Sequence, residues 1–359
     1  MARGTIEAPP EADRFEDAPH PREAGRLIGH AEVEQALLDA YRAERLPHAI
    51  IIGGPSGIGK ATLAWRLTRF LLAHPDPAAA AVQSAASLYV PEDHPVAHKL
   101  AALSHGDVFL LRREWNEKAK RPFTEIRADD VRHAIHMFQQ AAGAGGYRIC
   151  IVDSAEDLNR AGANALLKLI EEPPPRSLFL IIAHRPGQVL STLRSRCRRL
   201  LLKPLTSGEI AAVVATLGEH WSSADREAIA MAAARAGGSV PAALRLLGGR
   251  GLELDREIQR LLADLPFLDW RAVHELADQV TGRDSTADYE MMMVAIVDWI
   301  DAVISREAGR GVARLAPLAE VWEKAAEAAR ETEVLNLDKR PFILSLFADL
   351  ATAAKAFAA

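Results

Sequence analysis

The run His48-Ala49-Ile50-Ile51-Ile52-Gly53 is apolar and stops at a glycine, and Gly54-Pro55-Ser56-Gly57-Ile58-Gly59-Lys60 follows it without a break. A short apolar run bounded by glycine reads as a buried strand. From Lys60 to about Ala73 the pattern is helical. The glycines therefore fall in a strand-to-helix turn, where backbone N–H groups can converge on phosphate oxygens. The helix N-terminus adds positive potential there, and Lys60 can reach the outer phosphates. A glycine-rich turn with a surface lysine is the plainer alternative, but the flanking strand and helix favour a phosphate loop. Such a unit commits this part of the chain to an α/β design.

The rest of the first two-thirds agrees. Val108–Leu111, Arg148–Val152, Leu178–Ile182 and Arg199–Leu202 read as four further strands. A helix is expected over about 128–142, closed by Gly143-Ala144-Gly145-Gly146. Ala163, Leu166, Leu167 and Ile170 recur at helical spacing, and Glu171-Glu172-Pro173-Pro174-Pro175 stops that helix. Strands alternating with helices predict a parallel sheet covered by helices. After Pro204 the strand signal disappears. Three short helices are expected to Leu247, then a hinge at Gly248-Gly249-Arg250-Gly251, then amphipathic helices such as 312–330 and 342–357. The boundaries are 1–24 for a disordered acidic tail, 25–204 for the α/β domain, 205–250 for a small helical lid and 251–359 for a helical domain.

A chain of 359 residues with 49% apolar and 25% charged residues is ordinary globular protein of two or three domains. The net charge of −5 speaks against a basic nucleic-acid wrapper, yet it is partitioned. Residues 1–24 carry −3, residues 25–251 carry +6, and residues 252–359 carry −8. Any attraction for phosphate belongs in the middle segment. Two cysteines, Cys150 and Cys197, exclude a disulfide framework and suit free thiols in a reducing cytosol. No apolar stretch has the length to span a bilayer and the N-terminus lacks a signal-peptide centre, so a cytoplasmic protein without a membrane partner is expected. His94 and His98 have helical i, i+4 spacing, but with Pro95 between them and no cysteine nearby no metal is expected. The basic run Arg112, Arg113, Lys118, Lys120 and Arg121 leaves direct DNA contact open.

The loop is incomplete for hydrolysis. A working loop places Ser or Thr after its lysine to ligate Mg²⁺; here that residue is Ala61. Thr62 stands one residue later, about 100° around the helix, and cannot simply take over. Ile149-Cys150-Ile151-Val152-Asp153 is an apolar strand ending in a candidate magnesium-orienting aspartate. Its neighbour is Ser154, where hydrolysing enzymes of this architecture carry a glutamate to activate water, and a serine hydroxyl is far too weak a base for that. Gly54, Gly57, Gly59, Lys60, Thr62 and Asp153 thus form a degenerate candidate site for ATP or ADP.

With these residues in view, the chain resembles bacterial clamp-loader subunits of the AAA+ class. The match rests on Arg45-Leu46-Pro47-His48-Ala49, the loop from Gly54 to Lys60, the block Asn164-Ala165-Leu166-Leu167-Lys168 through Glu171-Glu172-Pro173-Pro174, and Thr192-Leu193-Arg194-Ser195-Arg196-Cys197-Arg198. It covers about residues 25–250 by motif, and the C-terminal helices only in length and character. The resemblance implies an AAA+ α/β domain, a helical lid, and a C-terminal collar that joins subunits in a ring. It implies a subunit of the DNA polymerase III clamp loader, working with gamma/tau motor and delta subunits to place a sliding clamp on primed DNA.

Within that family the chain looks most like the delta-prime branch, with the gamma/tau motor as the alternative. Family motors carry a hydroxyl residue where this chain has Ala61, a glutamate at Ser154, a Thr or Asn sensor where it reads Ala183-His184-Arg185, and a sensor arginine where it has Pro241. Four weakened positions point to a subunit without ATP hydrolysis of its own; Arg245, one turn beyond Pro241, keeps the motor reading open, as do Lys60 and Asp153. By resemblance Arg196, with Ser195 and Cys197 of the same motif, is an arginine finger reaching a neighbouring motor's nucleotide. The plainer reading of Arg194, Arg196, Arg198 and Arg199 is a solvated basic edge. The four-cysteine zinc module usual in the family has no counterpart between Lys60 and Arg148, so no zinc is expected and residues 73–106 should form a helical or partly mobile insert. A small-molecule P-loop kinase is disfavoured by the all-helical C-terminus.

Overall fold

The computed structural model describes residues 11, 13–15, 18–139, 146–282, 285–307, 316–324 and 338–358. The end of the helix expected over 128–142, its glycine closure up to residue 145, and parts of the 312–330 helix lie outside that set. Within it, the chain forms two compact units, Met1–Ala243 and Leu244–Ala359.

The first unit is built on a five-stranded parallel sheet. Its strands are β1 Ala49–Gly53, β2 Val108–Arg112, β5 Arg148–Asp153, β6 Ser177–Ala183 and β7 Arg198–Leu201. Their spatial order is β2-β5-β6-β1-β7, all neighbours parallel. A small antiparallel hairpin, β3 Trp115–Asn116 with β4 Arg121–Pro122, sits apart and was not foreseen. Two-residue strands leave no periodic trace in a sequence.

Alternation along the strands explains why they read as unbroken apolar runs. Ile50 and Ile52, Ile149 and Ile151, and Leu178, Leu180 and Ile182 enter one core. Ala49 and Ile51, Cys150 and Val152, and Phe179 and Ile181 enter the other. Both faces are buried, as parallel sheets require. The first face is covered by α1 Ala31–Arg42 and α2 Lys60–Ala73, with Leu38, Leu63, Leu67 and Phe70 fully buried. In the insert, Val82 of the short helix α3 Ala80–Gln83, Leu100 of α4 Pro95–Ala101, and Leu88 and Val90 from the stretch between them join the same core. His94 caps α4, its Nδ1 accepting from the Val96 N–H at 3.2 Å. The opposite face is covered by α5 Ala128–Gln139 and α6 Arg160–Glu171, which contribute Val131, Phe138, Ala163, Leu166, Leu169 and Ile170. Each fully buried aliphatic side chain contributes roughly 1.5–3 kcal/mol relative to exposure.

A short helix α7, Ser191–Arg194, precedes β7. The lid comprises α8 Ser207–Val214, α9 Glu219–Ser222, α10 Arg226–Arg235 and α11 Val240–Leu247, one more helix than expected. Helix α8 starts at a reciprocal cap in which Thr206 and Glu209 each satisfy the other's backbone N–H. The division between the units falls inside α11 rather than at the glycines after it; Gly251 opens the next helix, with its surroundings leaving no room for a Cβ. The second unit contains α12 Gly251–Ala263, α13 Trp270–Val280, α14 Thr286–Glu307, α15 over 316–324 and α16 Lys339–Ala358, packed on a single core that includes Ile258, Leu276, Ile296 and Phe347.

Residues 1–24, expected as a disordered acidic tail, hold a buried charge network in their described part. Asp13 Oδ2 lies 3.0 Å from His20 Nε2, and Asp13 Oδ1 lies 2.5 Å from Arg112 Nη1 at the end of β2. Glu11 bridges Arg112 at 2.9 Å and Arg22 at 3.0 Å. Acidic composition signals exposure only when no cations wait in the fold, and here one distant arginine, Arg112, does, joined by Arg22 and His20 of the same segment. Desolvation pushes the Asp13 pKa up, but His20 and Arg112 together hold it below the usual value. Its stabilisation is therefore full above the unfolded-state value and is lost as pH falls through the folded one. Asp13→Ala is expected to cost about 1–3 kcal/mol at pH 7, measured by urea unfolding, and the gap to wild type should shrink as pH is lowered from 5 to 3.

Candidate functional site

Pairing in register aligns Gly53 with Ala183 and Ile182 with Asp153, so β1, β6 and β5 end together on one edge of the sheet. The phosphate loop leaves that edge from β1. Gly54, Gly57 and Gly59 have φ of 142°, 76° and 97°, a range that side-chain-bearing residues rarely adopt. A Cβ on Gly54 would stand 2.7 Å from the Leu202 carbonyl, and one on Gly57 2.5 Å from Pro241 Cδ. The loop is held from three sides: Gly54 N–H donates to Ala183 O at 3.1 Å, Val240 N–H donates to Gly57 O at 2.9 Å, and His30 Nε2 lies 2.7 Å from Ile58 O. His30 was not singled out beforehand, since no local motif marks it.

Lys60 is the first residue of α2 and only 2% exposed. Its ammonium donates to the Pro55 carbonyl within the loop. Burial pulls its pKa down to about 8, against the opposing pull of Asp153 and Glu156. Asp153 is pushed up to about 7 by burial and by Asp13 and Asp157, with Lys60 and Arg112 opposing. His184, just past β6, is lowered by burial and by Lys60, and its Nδ1 is buried without a hydrogen-bond partner among the described residues. Glu156, on the 3₁₀ turn Ala155–Asp157, accepts from Arg185 N–H at 2.5 Å through Oε1. Lys60, Asp153, Glu156 and His184 therefore share one field. Only the first two were candidates from sequence; the signal for Glu156 was an acid three residues beyond a strand-ending aspartate.

The weakened positions have physical occupants. Ala61 packs its methyl against the core of the α2 face, and Thr62 is half-buried on the same helix. Ser154 is buried and its hydroxyl donates to Asp157, away from any base role. Pro241, in the first turn of α11 where proline is tolerated, presses on Gly57. Arg245 falls in the second compact unit.

The arginine motif lies at the far end of α6. Asn159 caps that helix by accepting from Gly162 N–H at 2.8 Å, and the helix ends at Glu171 before the prolines. Leu193 and Cys197 are buried anchors on either side of exposed Ser195 and Arg196. The Cys197 thiol is raised to about 11 by burial, and Cys150 to about 12, so both pack rather than react. Arg196 Nε is 2.6 Å from Glu171 Oε1, while its Nη1 donates to Thr192 O at 3.2 Å and Ser195 Oγ at 3.3 Å. Among the described residues no hydrogen bond or ion pair joins Arg196 to Lys60 or Asp153. In the basic run, Arg112 is committed to Asp13 and Glu11, Arg113 to Asp157 at 3.0 Å, and Lys120 to Glu117. Among the described residues no cluster of His, Cys, Asp and Glu is arranged to hold a metal, and no helix is long and apolar enough to cross a membrane.

Residues 29–206 match the family model described as DNA polymerase III, delta subunit. The DNA polymerase III subunit delta' of Pseudomonas aeruginosa is 34% identical over 209 residues, 58% of this chain and 58% of that one. The delta' subunit of Escherichia coli is 31% identical over 247 residues, 66% of this chain and 65% of that one. The gamma/tau subunit of Mycobacterium tuberculosis is 31% identical over 226 residues, 62% of this chain but 36% of that one. The chain thus spans somewhat less than two thirds of the length of the delta' relatives. With that family-model match and delta' relatives at 31–34% identity, the chain belongs to the DNA polymerase III delta-prime family of clamp-loader subunits.

Proposed function

We propose that this chain is a non-motor clamp-loader subunit that helps place a sliding clamp on primed DNA and supplies Arg196 to the ATP site of a neighbouring gamma/tau-type motor, in a ring that also holds a delta subunit. The observation that carries this reading is the coexistence of an exposed, ordered Arg196 with a phosphate site that lacks its cleaving groups. An arginine finger acting in trans is worth about 10³–10⁵ in rate, because a guanidinium stabilises charge on the transferring phosphoryl oxygens.

The site fits the phosphate end of ATP or ADP. Gly54 to Lys60 offer backbone N–H groups at a helix start, and Lys60 is a buried cation whose only hydrogen bond among the described residues is to a carbonyl. Lys60 and the loop would hold phosphate; Asp153 would orient a magnesium ion. The same site does not fit hydrolysis, since Ala61 has no hydroxyl to offer and Ser154 is bonded to Asp157. Bound nucleotide would then brace the loop against α11 rather than be consumed.

Titration of the isolated chain with a fluorescent ATP analogue tests the first half. Binding is expected, weaker by about tenfold or more in Lys60→Ala. It should weaken as pH rises from 7 to 9, because Lys60 loses its proton near 8. DNA-stimulated turnover by the pure chain, abolished by Lys60→Ala, would instead make it a motor. For the second half, Arg196→Ala is expected to leave ring assembly intact and lower ATP turnover of the reconstituted complex by about tenfold or more; wild-type turnover would remove Arg196 from the mechanism.

A further inference from the structure

Arg196 is exposed, yet its guanidinium is not left to wander. The side chain has five N–H donors in a rigid fork, and the structure spends them unevenly. Nε meets Glu171 at 2.6 Å, and Nη1 meets Thr192 O and Ser195 Oγ at 3.2 and 3.3 Å. Nη2 has no hydrogen-bond partner among the described residues. Ser195 Oγ is itself fixed on Thr192 O at 3.0 Å, so the acceptors form a small platform. Glu171 is the last residue of α6, where a carboxylate faces the negative end of the helix dipole and gains from a cation placed beside it.

We infer that Glu171 is a positioning residue for Arg196: it grips the Nε side of the fork and leaves the Nη2 end facing outward for a phosphoryl group of the neighbouring subunit. This rests on the trans-finger reading above. An exposed arginine without such a grip samples many rotamers, and ordering it must then be done at the moment of reaction. Glu171 itself touches no substrate and acts only through Arg196. Because α6 is anchored in the sheet core by Leu166, Leu169 and Ile170, the grip also ties the finger to the rigid part of the unit.

The test uses full-length chains in the reconstituted clamp-loader complex, with assembly followed by size-exclusion chromatography and ATP turnover by phosphate release. Glu171→Ala is expected to lower kcat about two- to fivefold, in keeping with the strength of an exposed ion pair. KM for ATP and assembly should not change, since a finger acts on the transition state. In the double variant Glu171→Ala with Arg196→Ala, turnover is expected to equal that of Arg196→Ala alone. Glu171→Gln keeps the size of the side chain but loses the ion pair, so kcat should fall as in Glu171→Ala, and unchanged assembly of both variants guards against a loss caused by misfolding. Multiplying losses in the double variant, a KM rise in place of a kcat fall, or wild-type turnover in Glu171→Ala while Arg196→Ala is impaired would each overturn the assignment. An unimpaired Arg196→Ala would instead bring down the finger reading itself, so the two failures are separable.

Discussion

A parallel sheet buried on both faces can present chemistry only where its strands end, and the rest of this unit follows from that restriction. The sides of β1, β5 and β6 are consumed by packing, Ile50 toward α2 and Phe179 toward α5 and α6. What remains available is the row of carboxyl ends, where Gly53, Ala183, Ile182 and Asp153 stand in register. Since β6 lies between β1 and β5, the loop bearing Lys60 and the strand bearing Asp153 are held one strand apart, and the residue leaving β6, His184, falls in the field of Lys60 and Glu156. The strand order thus decides which three segments can line one site, before any side chain is chosen.

That shared space separates two capacities that are usually found together. Binding phosphate needs positive backbone dipoles and a cation, and these persist in Gly54 to Lys60. Cleaving phosphate needs a metal ligand and a base, and their positions are occupied by groups with other tasks: Ala61 in the core, Ser154 bonded to Asp157, Pro241 against Gly57. Each replacement adds a packing or hydrogen-bonding contact where a reactive group would have had to stay free. On the non-motor reading proposed above, loss of catalysis and gain of structure would be one change, not two.

Much of the architecture was legible because its signals are local and periodic. The five sheet strands were recognised within about a residue at each end, and α2 at its full extent, since buried strands and amphipathic helices imprint their period on the sequence. The loop glycines were legible for the same reason: left-handed backbone admits little else. What escaped was non-local. The network of Asp13, His20, Arg112, Glu11 and Arg22 joins residues up to 101 positions apart, and an acidic stretch gives no sign that cations elsewhere will fold onto it. His30 and Glu156 escaped likewise, being ordinary residues made important by where the chain returns. Glu171 was legible as an interface or helix-end residue; its contact with Arg196 depends on α6 and α7 meeting after a whole strand has intervened.

The arginine motif runs directly into β7, and β7 is an outer strand of the sheet among the described residues. Arg198 and Arg199 are exposed on it, beside Leu201 at 64% exposure. An outer strand is a template for another chain, and charges along it are a common means of keeping strangers off. The segment that carries Arg196 therefore also guards the margin of the sheet, where an apolar edge would invite two copies to zip together. Charge on this stretch thus bears on solubility independently of what Arg196 touches.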